Sequence, residues 1–252
     1  MLGPLLHAPQ QQPRLSAHHG DFLKPNQLAP AMRVADAHPE IDVFEIDFVD
    51  SGAAIVSAHD YDARAIGLGS ALAEWIDEFA VRRRRVLWID VKQNIDLYCD
   101  WAHGGFSTAR LFAALEDARV RTPDLDTRVW LGCQDEALRD ELLAYCRAHR
   151  WRFILDMPLV SGYVAQRLVP RCAWPCARSA VQAEMRDSEL YAGHRLVSLD
   201  REFFAGPTEL KRFVRELELQ ADTLLVLNSF DRRQARIEVE DVAIVMQYDY
   251  TT

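Results

Sequence analysis

Short β-rich runs alternate with helical patterns over most of this 252-residue chain, and this alternation limits the possible folds more than any other feature. Alternating strands and helices build parallel sheets whose faces are covered by helices. A short run at Ala53–Ala58 can form a hairpin or lie along the rim after the second strand, and Ile237–Tyr248 looks like an extra strand beyond the eight. The eight main strand candidates are Arg14–His18, Asp42–Phe48, Val86–Val91, Arg128–Gly132, Trp151–Asp156, Ser179–Glu184, Arg195–Leu199 and Thr223–Leu227.

Helical spacing of apolar residues predicts five helices between these strands. They lie near Gln27–Ala37, Leu68–Ala80, Thr108–Val120, Glu136–Ala148 and Thr208–Leu219. We therefore predict an α/β fold of the (β/α)8 TIM-barrel type, with residues 1–13 as a flexible leader and residues 14–252 as one domain. An open doubly wound sheet is the alternative, although the early histidine–glycine turn lacks the phosphate-binding glycine pattern that such sheets often carry.

Charge and cysteine content exclude some partners and favour a cytoplasmic protein. The formal net charge is −9, whereas general nucleic-acid binders carry a basic face. Five scattered cysteines, an odd number, favour reduced thiols in the cytosol. No signal peptide is evident, and no stretch reaches the roughly 18 apolar residues of a membrane span. We expect no nucleic-acid partner and no transmembrane segment, while the oligomeric state stays open.

Polar side chains that can support catalysis lie in the first 92 residues, each at or just after the end of an apolar run. Side chains alternate between the two faces of a strand, so Glu45 and Asp47 share one face of the second predicted strand. The same rule places Asp90 and Lys92 on one face of the third strand. Neighbouring strands lie about 4.8 Å apart. The three carboxylates can therefore converge at the C-terminal end of a barrel, where barrel enzymes have their active sites.

A cluster of three buried carboxylates implies a cation, because without one the acids would repel each other and shift toward their neutral forms. Ligation by oxygen alone favours Mg²⁺ or Ca²⁺ over zinc. We predict one divalent cation bound by Glu45, Asp47 and Asp90, with Lys92 near a carboxylate or a substrate phosphate. A Glu-x-Asp pair alone is more often a solvated strand face; the metal site is favoured because all these groups end early predicted strands.

Histidines lie near the same predicted site in two places. His18 and His19 precede Gly20 at the end of the first predicted strand, and His59 precedes Asp60 shortly after the second. Adjacent side chains on a strand point to opposite faces, so only one of the first pair points inward, and we favour His18. A histidine before a glycine is commonly a turn residue, and a His-Asp pair commonly lies on the surface. Their shared position favours a role in acid–base chemistry.

The order of these motifs resembles the phospholipase-C-like phosphodiesterase superfamily, most closely its glycerophosphodiester phosphodiesterase family. The matching segments are His18-His19-Gly20, Pro25-Asn26-Gln27, Glu45-Ile46-Asp47, His59-Asp60 and Asp90-Val91-Lys92. The resemblance implies a metal-dependent phosphodiesterase barrel acting on a glycerophosphodiester or a related phospholipid head-group ester, such as a lysophospholipid. It also implies attack by the substrate's own hydroxyl, which gives a cyclic phosphate; the residues themselves leave water as an equal choice.

The resemblance also implies a role for each residue of the predicted site. His18 and His59 would be the acid–base pair, and Lys92 would lie on the phosphate side. His19 stands where the family has a phosphate-binding arginine. The metal ligands would be Glu45, Asp47 and Asp90.

Four departures separate this chain from the family pattern. His19 replaces an arginine whose planar fork binds phosphate, and Pro25 replaces a glutamate. Asp90 replaces a glutamate, as in the sphingomyelinase-D-like branch. Few residues separate His59 from the next helix, where glycerophosphodiesterases usually carry an insertion. A catalytically inactive barrel that binds or regulates is therefore an alternative. A carboxylate-Mg²⁺ lyase fits less well, because such enzymes generally take ligands from three successive strands.

Overall fold

The chain is described by a computed structural model that covers most of its first 156 residues and parts of the remainder. The described residues are 14–17, 27–39, 41–58, 67–82, 84–92, 105–133, 136–156, 182–183, 185, 194, 196–200, 204, 206–217, 224–228 and 243–248. By contacts the chain divides into two compact units, Met1–Phe153 with Asp249–Thr252, and Ile154–Tyr248.

All five predicted helices are confirmed, with small differences at their ends. The largest difference is at the start of α2, which begins at Leu72 instead of Leu68 because residues 69–70 are irregular. The helices are α1 (Leu28–Ala37), α2 (Leu72–Val81), α3 (Thr108–Arg121), α4 (Glu136–His149) and α5 (Pro207–Glu216), and a short 3-10 helix spans Leu125–Thr127. In the part of the chain that the structure describes, no helix has both the length and the apolar character that a bilayer crossing needs.

The first unit contains parallel strands and one antiparallel hairpin. Strand β2 lies between β1 and β4, both parallel to it, and β5 follows β4 in parallel. The predicted hairpin is confirmed, because β3 runs antiparallel to the last three residues of β2. The strand bounds are β1 (Arg14–Ala17), β2 (Ile41–Asp50), β3 (Ile55–Ser57), β4 (Val86–Val91) and β5 (Val129–Gly132).

The second unit contains a parallel arrangement in which β7 pairs with β6 and β8, and β8 pairs with β9. The extra strand predicted at the end of the chain is part of this arrangement. Its last six residues form β9, which pairs with β8 over five consecutive residues. The strand bounds are β6 (Arg152–Asp156), β7 (Leu196–Asp200), β8 (Leu224–Asn228) and β9 (Ala243–Tyr248).

The predicted strand at Ser179–Glu184 is wrong, because Gln182, Ala183 and Met185 are helical. Gln182 and Met185 are both buried, and their spacing of three residues places them on one face of a helix. Short mixed segments fit either period, so the alternation seen in the sequence does not decide between strand and helix.

The outward face of β2 packs on α2, as its alternation of apolar and acidic residues requires. The ring of Phe44 meets that of Phe79 edge-on at 5.7 Å between centroids, and Phe48 meets Trp75 in the same manner at 6.3 Å. All four rings are fully buried. Because adjacent side chains on a strand point to opposite faces, Glu45, which lies between Phe44 and Ile46, points to the other face of the sheet.

Two arginines that precede strands close the C-terminal ends of earlier helices. Arg85 donates to the carbonyl of Ala35 at 2.7 Å, near the end of α1. Arg128, which is 1% exposed, donates to the carbonyls of Phe79 and Ala80 at the end of α2. The last carbonyls of a helix lack partners within the helix, so these guanidinium groups satisfy them and fix each helix to the following strand.

The segment after β3 returns to the hairpin at a point where only glycine fits. A Cβ atom on Gly69 would overlap the backbone carbonyl of Ser57, whereas a Cβ on Gly67 would meet nothing within 4 Å. We expect Gly69→Ala to lower the free energy of unfolding by about 1–3 kcal/mol through steric overlap. Gly67→Ala is the matched control and should be neutral or slightly stabilising. Urea unfolding of both variants tests this, and equal stabilities would contradict the close contact.

Candidate metal centre

The register between β2 and β4 brings the three predicted acids together. Asp47 lies directly opposite Asp90, and Glu45 lies opposite Trp88, one step earlier on the same face. Each of the three carboxylates offers an oxygen within 4.8 Å of the oxygens of the other two. Among the described residues, these three acids form the group of acidic, histidine or cysteine side chains that lie close enough together to share one ion. The convergence follows from two adjacent parallel strands that each present acids at period two.

The acidic cluster is buried and strongly negative. Glu45 is 3% exposed, Asp47 is fully buried, and Asp90 is 3% exposed. The ammonium of Lys92, the residue directly after β4, lies 2.9 Å from Asp47 Oδ1 and forms a second ion pair with Asp90. Three buried acids and the ammonium of Lys92 thus lie together at the ends of β2 and β4.

Lys92 is held in its charged form by these acids. Burial lowers the pKa of its ammonium, but attraction by the neighbouring carboxylates outweighs burial and holds the pKa well above its ordinary value. The side chain of Lys92 is 23% exposed, more than any of the three acids, so Lys92 is the most exposed member of this group.

The donor set fits a hard divalent cation. Its three ligands are carboxylates, and oxygen ligation is what Mg²⁺ and Ca²⁺ prefer in proteins. The described part of the site brings neither a cysteine nor a histidine into this cluster, so nothing in it favours zinc. Carboxylates held this close are stable in their ionised forms only when a cation or ammonium lies among them. Metal binding by Glu45, Asp47 and Asp90 stays a prediction, and the closeness of their carboxylate oxygens is compatible with one shared ion.

Aromatic side chains form the level of the sheet beside Glu45. Trp88 on β4 and Trp130 on β5 lie in register with Glu45, and both are buried. Paired residues of a sheet share a face, so the indoles lie on the same side as the acids. Gly132 occupies the next level of β5, opposite Asp90, and presents no side chain there. These buried indoles keep water away from the acids on the side of Glu45, and the low local dielectric strengthens the electrostatic interactions of the cluster.

The predicted histidines His18, His19 and His59 lie outside the described residues, as does the Pro25-Asn26 segment. The described chain does lead to the cluster at two points. Strand β1 ends with Ala17 in register with Phe44, and the backbone N–H of Ala58 donates to the carbonyl of Asp47 at 3.0 Å.

Sequence reasoning missed a buried acid at the end of β2. Asp50 is 2% exposed and accepts hydrogen bonds from the backbone N–H groups of Gly52, at 2.8 Å, and Ser107, at 3.0 Å. It also forms an ion pair with Arg110 in the first turn of α3. Asp50 thus fixes the end of the strand that carries Glu45 and Asp47 to the start of α3. The Asp-Ser-Gly triplet signals the turn, but nothing local identifies a partner 60 residues away.

Two other polar residues, His149 and Asp200, end a helix and a strand. His149 lies at the end of α4, about half exposed, where its ring stacks on Tyr145 at 4.2 Å. Asp200 ends β7 in register with Asn228 on β8, both within the second unit. His103 lies outside the described residues.

Comparison with known proteins gives a structural likeness. By sequence, no family model and no curated protein matches the chain. A glycerophosphodiester phosphodiesterase from Agrobacterium tumefaciens strain C58 is similar in structure with a TM-score of 0.55 and 13% identity, over 94% of this chain and 96% of that chain. A Silicibacter pomeroyi DSS-3 protein assigned as a glycerophosphoryl diester phosphodiesterase gives 0.55 and 18% identity, over 96% and 92%.

The likeness extends over nearly the whole chain, and at these identities it establishes the fold alone. It confirms the predicted α/β fold class and the resemblance read from the motifs. The Asp90 feature shared with the sphingomyelinase-D-like branch stays a prediction. The chain has a (β/α)8 TIM-barrel fold like that of the two glycerophosphodiester phosphodiesterase structures.

Proposed function

We propose that this protein is a metal-dependent phosphodiesterase that cleaves a glycerophosphodiester or a related lysophospholipid. The observation that carries the proposal is the buried cluster of Glu45, Asp47 and Asp90, with Lys92 as the most exposed member of the group. A bound Mg²⁺ or Ca²⁺ would supply Lewis-acid stabilisation of charge on the phosphoryl oxygens. A phosphodiesterase fold in which these groups converge favours that chemistry over a carboxylate-Mg²⁺ lyase.

The residues of the chain divide the remaining work. The ammonium of Lys92 would bind a non-bridging phosphate oxygen, with His19 in the position of the family's arginine as a second donor. One of His18 and His59 would remove the proton from the nucleophile, and the other would protonate the leaving alkoxide. Both histidines follow strands that flank the cluster, because Ala17 and Ala58 lie in contact with β2. The nucleophile is the substrate's own hydroxyl in the family's cyclising route, or water.

The short connection after His59 bears on the choice of substrate. Only residues 59–66 lie between the hairpin and the helical turn that begins at Gly67, a place where glycerophosphodiesterases usually carry an insertion. A short connection leaves less chain to build a closed head-group pocket. We therefore propose an open site with weak discrimination among head groups.

A panel of phosphodiesters tests both the reaction and this openness. With Mg²⁺ or Ca²⁺ present, several glycerophosphodiesters, a lysophospholipid and a chromogenic diester should be cleaved at comparable kcat/KM, and EDTA should abolish every activity. A strong preference for one head group would contradict the open site while leaving the phosphodiesterase proposal intact. No turnover on any member, with metal bound, would contradict the proposed reaction.

A binding or regulatory barrel is the second candidate. It is favoured by the ion pairs of Lys92 with two of the three acids, since an ammonium there partly takes the role of a cation. His19 in place of the family's arginine points in the same direction. In that case phosphodiesters would bind with measurable affinity but would not be turned over.

A reducing compartment, the cytoplasm, is proposed for the protein. The cysteines in the described residues, Cys133 and Cys146, are buried. Burial raises the pKa of the Cys146 thiol to about 12, so it stays protonated and unreactive toward oxidants at neutral pH.

Lys92→Met tests whether the ammonium compensates the acids. The change keeps most of the apolar stem and removes the ammonium that pairs with Asp47 and Asp90 inside a buried cluster. In EDTA we expect the free energy of unfolding to fall by about 3–5 kcal/mol, with Mg²⁺ restoring much of it. Lys211→Met on α5 is the matched control and should change stability little. Equal stability of Lys92→Met and the wild type in EDTA would contradict this balance of charges.

A further inference from the structure

We propose that the ammonium of Lys92 and the divalent cation compete for the same carboxylates, so that Lys92 lowers the affinity of the acidic cluster for metal. The inference rests on the proposed function, because it concerns the metal site on which that function depends. It gives Lys92 a second role, separate from the binding of a phosphate oxygen.

The ammonium of Lys92 contacts two of the three acids that lie close enough to share one ion. Its Nζ lies 2.9 Å from Asp47 Oδ1 and forms a second ion pair with Asp90 Oδ2. Asp47 and Asp90 each offer an oxygen within 4.8 Å of the other and of an oxygen of Glu45. A cation bound by the three acids would therefore take two carboxylates that already bind an ammonium.

The place of Lys92 on the sheet keeps its ammonium close to these acids. The backbone N–H of Lys92 donates to the carbonyl of Phe48 at 2.9 Å, which continues the pairing of β4 with β2 by one residue. Lys92 follows Asp90 by two residues, so both side chains point to one face of the sheet. With the backbone held in this way, the ammonium can leave the carboxylates by rotation of the Lys92 side chain.

Burial of the acids makes the two positive charges oppose each other. Asp47 is fully buried and Asp90 is 3% exposed, so little water screens the charges around them. An ammonium and a divalent cation on the same carboxylates repel each other, and at such short range this repulsion changes a binding constant by about 10-fold or more. Lys92 thus stabilises the acids when no ion is bound and weakens the binding of an ion when one is present.

Calorimetric titration of Lys92→Met with Mg²⁺ and with Ca²⁺ tests the competition. We expect this variant to bind metal about 10-fold more tightly than the wild type or better, because it keeps the apolar stem and lacks the competing charge. Lys92→Arg keeps the charge and should keep an affinity close to that of the wild type. Tighter binding by both variants to the same extent would overturn the role of the charge.

Arg110→Met is the matched control on the other face of β2. Arg110 forms an ion pair with Asp50, which is 2% exposed and lies outside the acidic cluster. The change removes one positive charge beside one buried carboxylate of the same strand, so metal affinity should stay unchanged. A gain in affinity equal to that of Lys92→Met would trace the effect to the net charge of the protein and overturn the competition.

A measurement on the wild type does not depend on whether Lys92→Met folds. The chain has three lysines, Lys24, Lys92 and Lys211, so labelling lysine with ¹³C at Cε gives three nuclear magnetic resonance signals. The signal of Lys92 is identified by its loss in Lys92→Arg. Addition of Mg²⁺ should shift this signal, because the ammonium gives up its carboxylate partners, and should leave the signal of Lys211 in place.

The results that overturn the competition differ from those that overturn the proposed function. Equal or weaker metal binding by Lys92→Met, or a Lys92 signal that stays unchanged at saturating Mg²⁺, would overturn the competition. In those outcomes metal binding by the wild type leaves the proposed function standing. Absence of metal binding from the wild type and from every variant would overturn both.

Discussion

Replacing Asp47 with asparagine should abolish the binding of Mg²⁺ and Ca²⁺. Asp47 is fully buried, lies in register with Asp90 and shares the ammonium of Lys92 with it, so its carboxylate is at the middle of the cluster. The amide keeps the shape of the side chain but removes the charge that draws a cation into a site below the surface. Titration calorimetry should show binding to the wild type and none to Asp47→Asn. Metal should also raise the melting temperature of the wild type alone.

The same strand supplies a matched control for this experiment. Asp50 is as buried as Asp47 but belongs to the opposite face, where its partners are Gly52, Ser107 and Arg110. Asp50→Asn should lower stability, because it weakens these bonds, and it should leave metal affinity unchanged. Metal binding that survives in Asp47→Asn, or that is lost equally in both variants, would contradict the assignment of the site.

Replacing either proposed acid–base histidine with alanine should lower turnover by about 100-fold or more while the fold stays intact, because general acid–base catalysis contributes about that much. His18→Ala and His59→Ala should each show this loss in kcat with a chromogenic phosphodiester. Metal affinity should be retained in both variants, since the carboxylates hold the cation.

His149→Ala is the control for the histidine variants. Its ring stacks on Tyr145 at the end of α4, and half of its side chain is exposed. We expect a small change in stability and unchanged kcat. If His149→Ala lost as much activity as the other two variants, the losses would not come from the proposed chemistry.

The convergence of the acids was predictable because it depends on two local rules. Period two fixes which side chains share a face, and parallel pairing fixes which positions lie opposite each other. The sequence contains both, in the Glu45–Asp47 spacing and in the matching run that ends at Asp90. The packing of Phe44 and Phe48 on α2 follows from the same alternation.

The supporting groups were not predictable, because their partners are distant in the chain. Asp50 looks like a turn residue until Arg110 is placed beside it, and Ser57 has no local feature that identifies Trp75 as its donor. The error at Ser179–Glu184 has a different origin. Its mixed alternation also fits a helix, and the burial of Gln182 and Met185 on one helical face decides between them.

A crystal structure of the protein grown with Mg²⁺ or Ca²⁺ would show whether the acidic cluster binds a metal ion. We expect one ion bound by oxygens of Glu45, Asp47 and Asp90, at about 2.0–2.1 Å for Mg²⁺ or about 2.3–2.6 Å for Ca²⁺. His18 and His59 should lie on either side of the phosphate position beside that ion. An ion bound elsewhere, or no ion among the three acids at saturating metal, would contradict the proposed site.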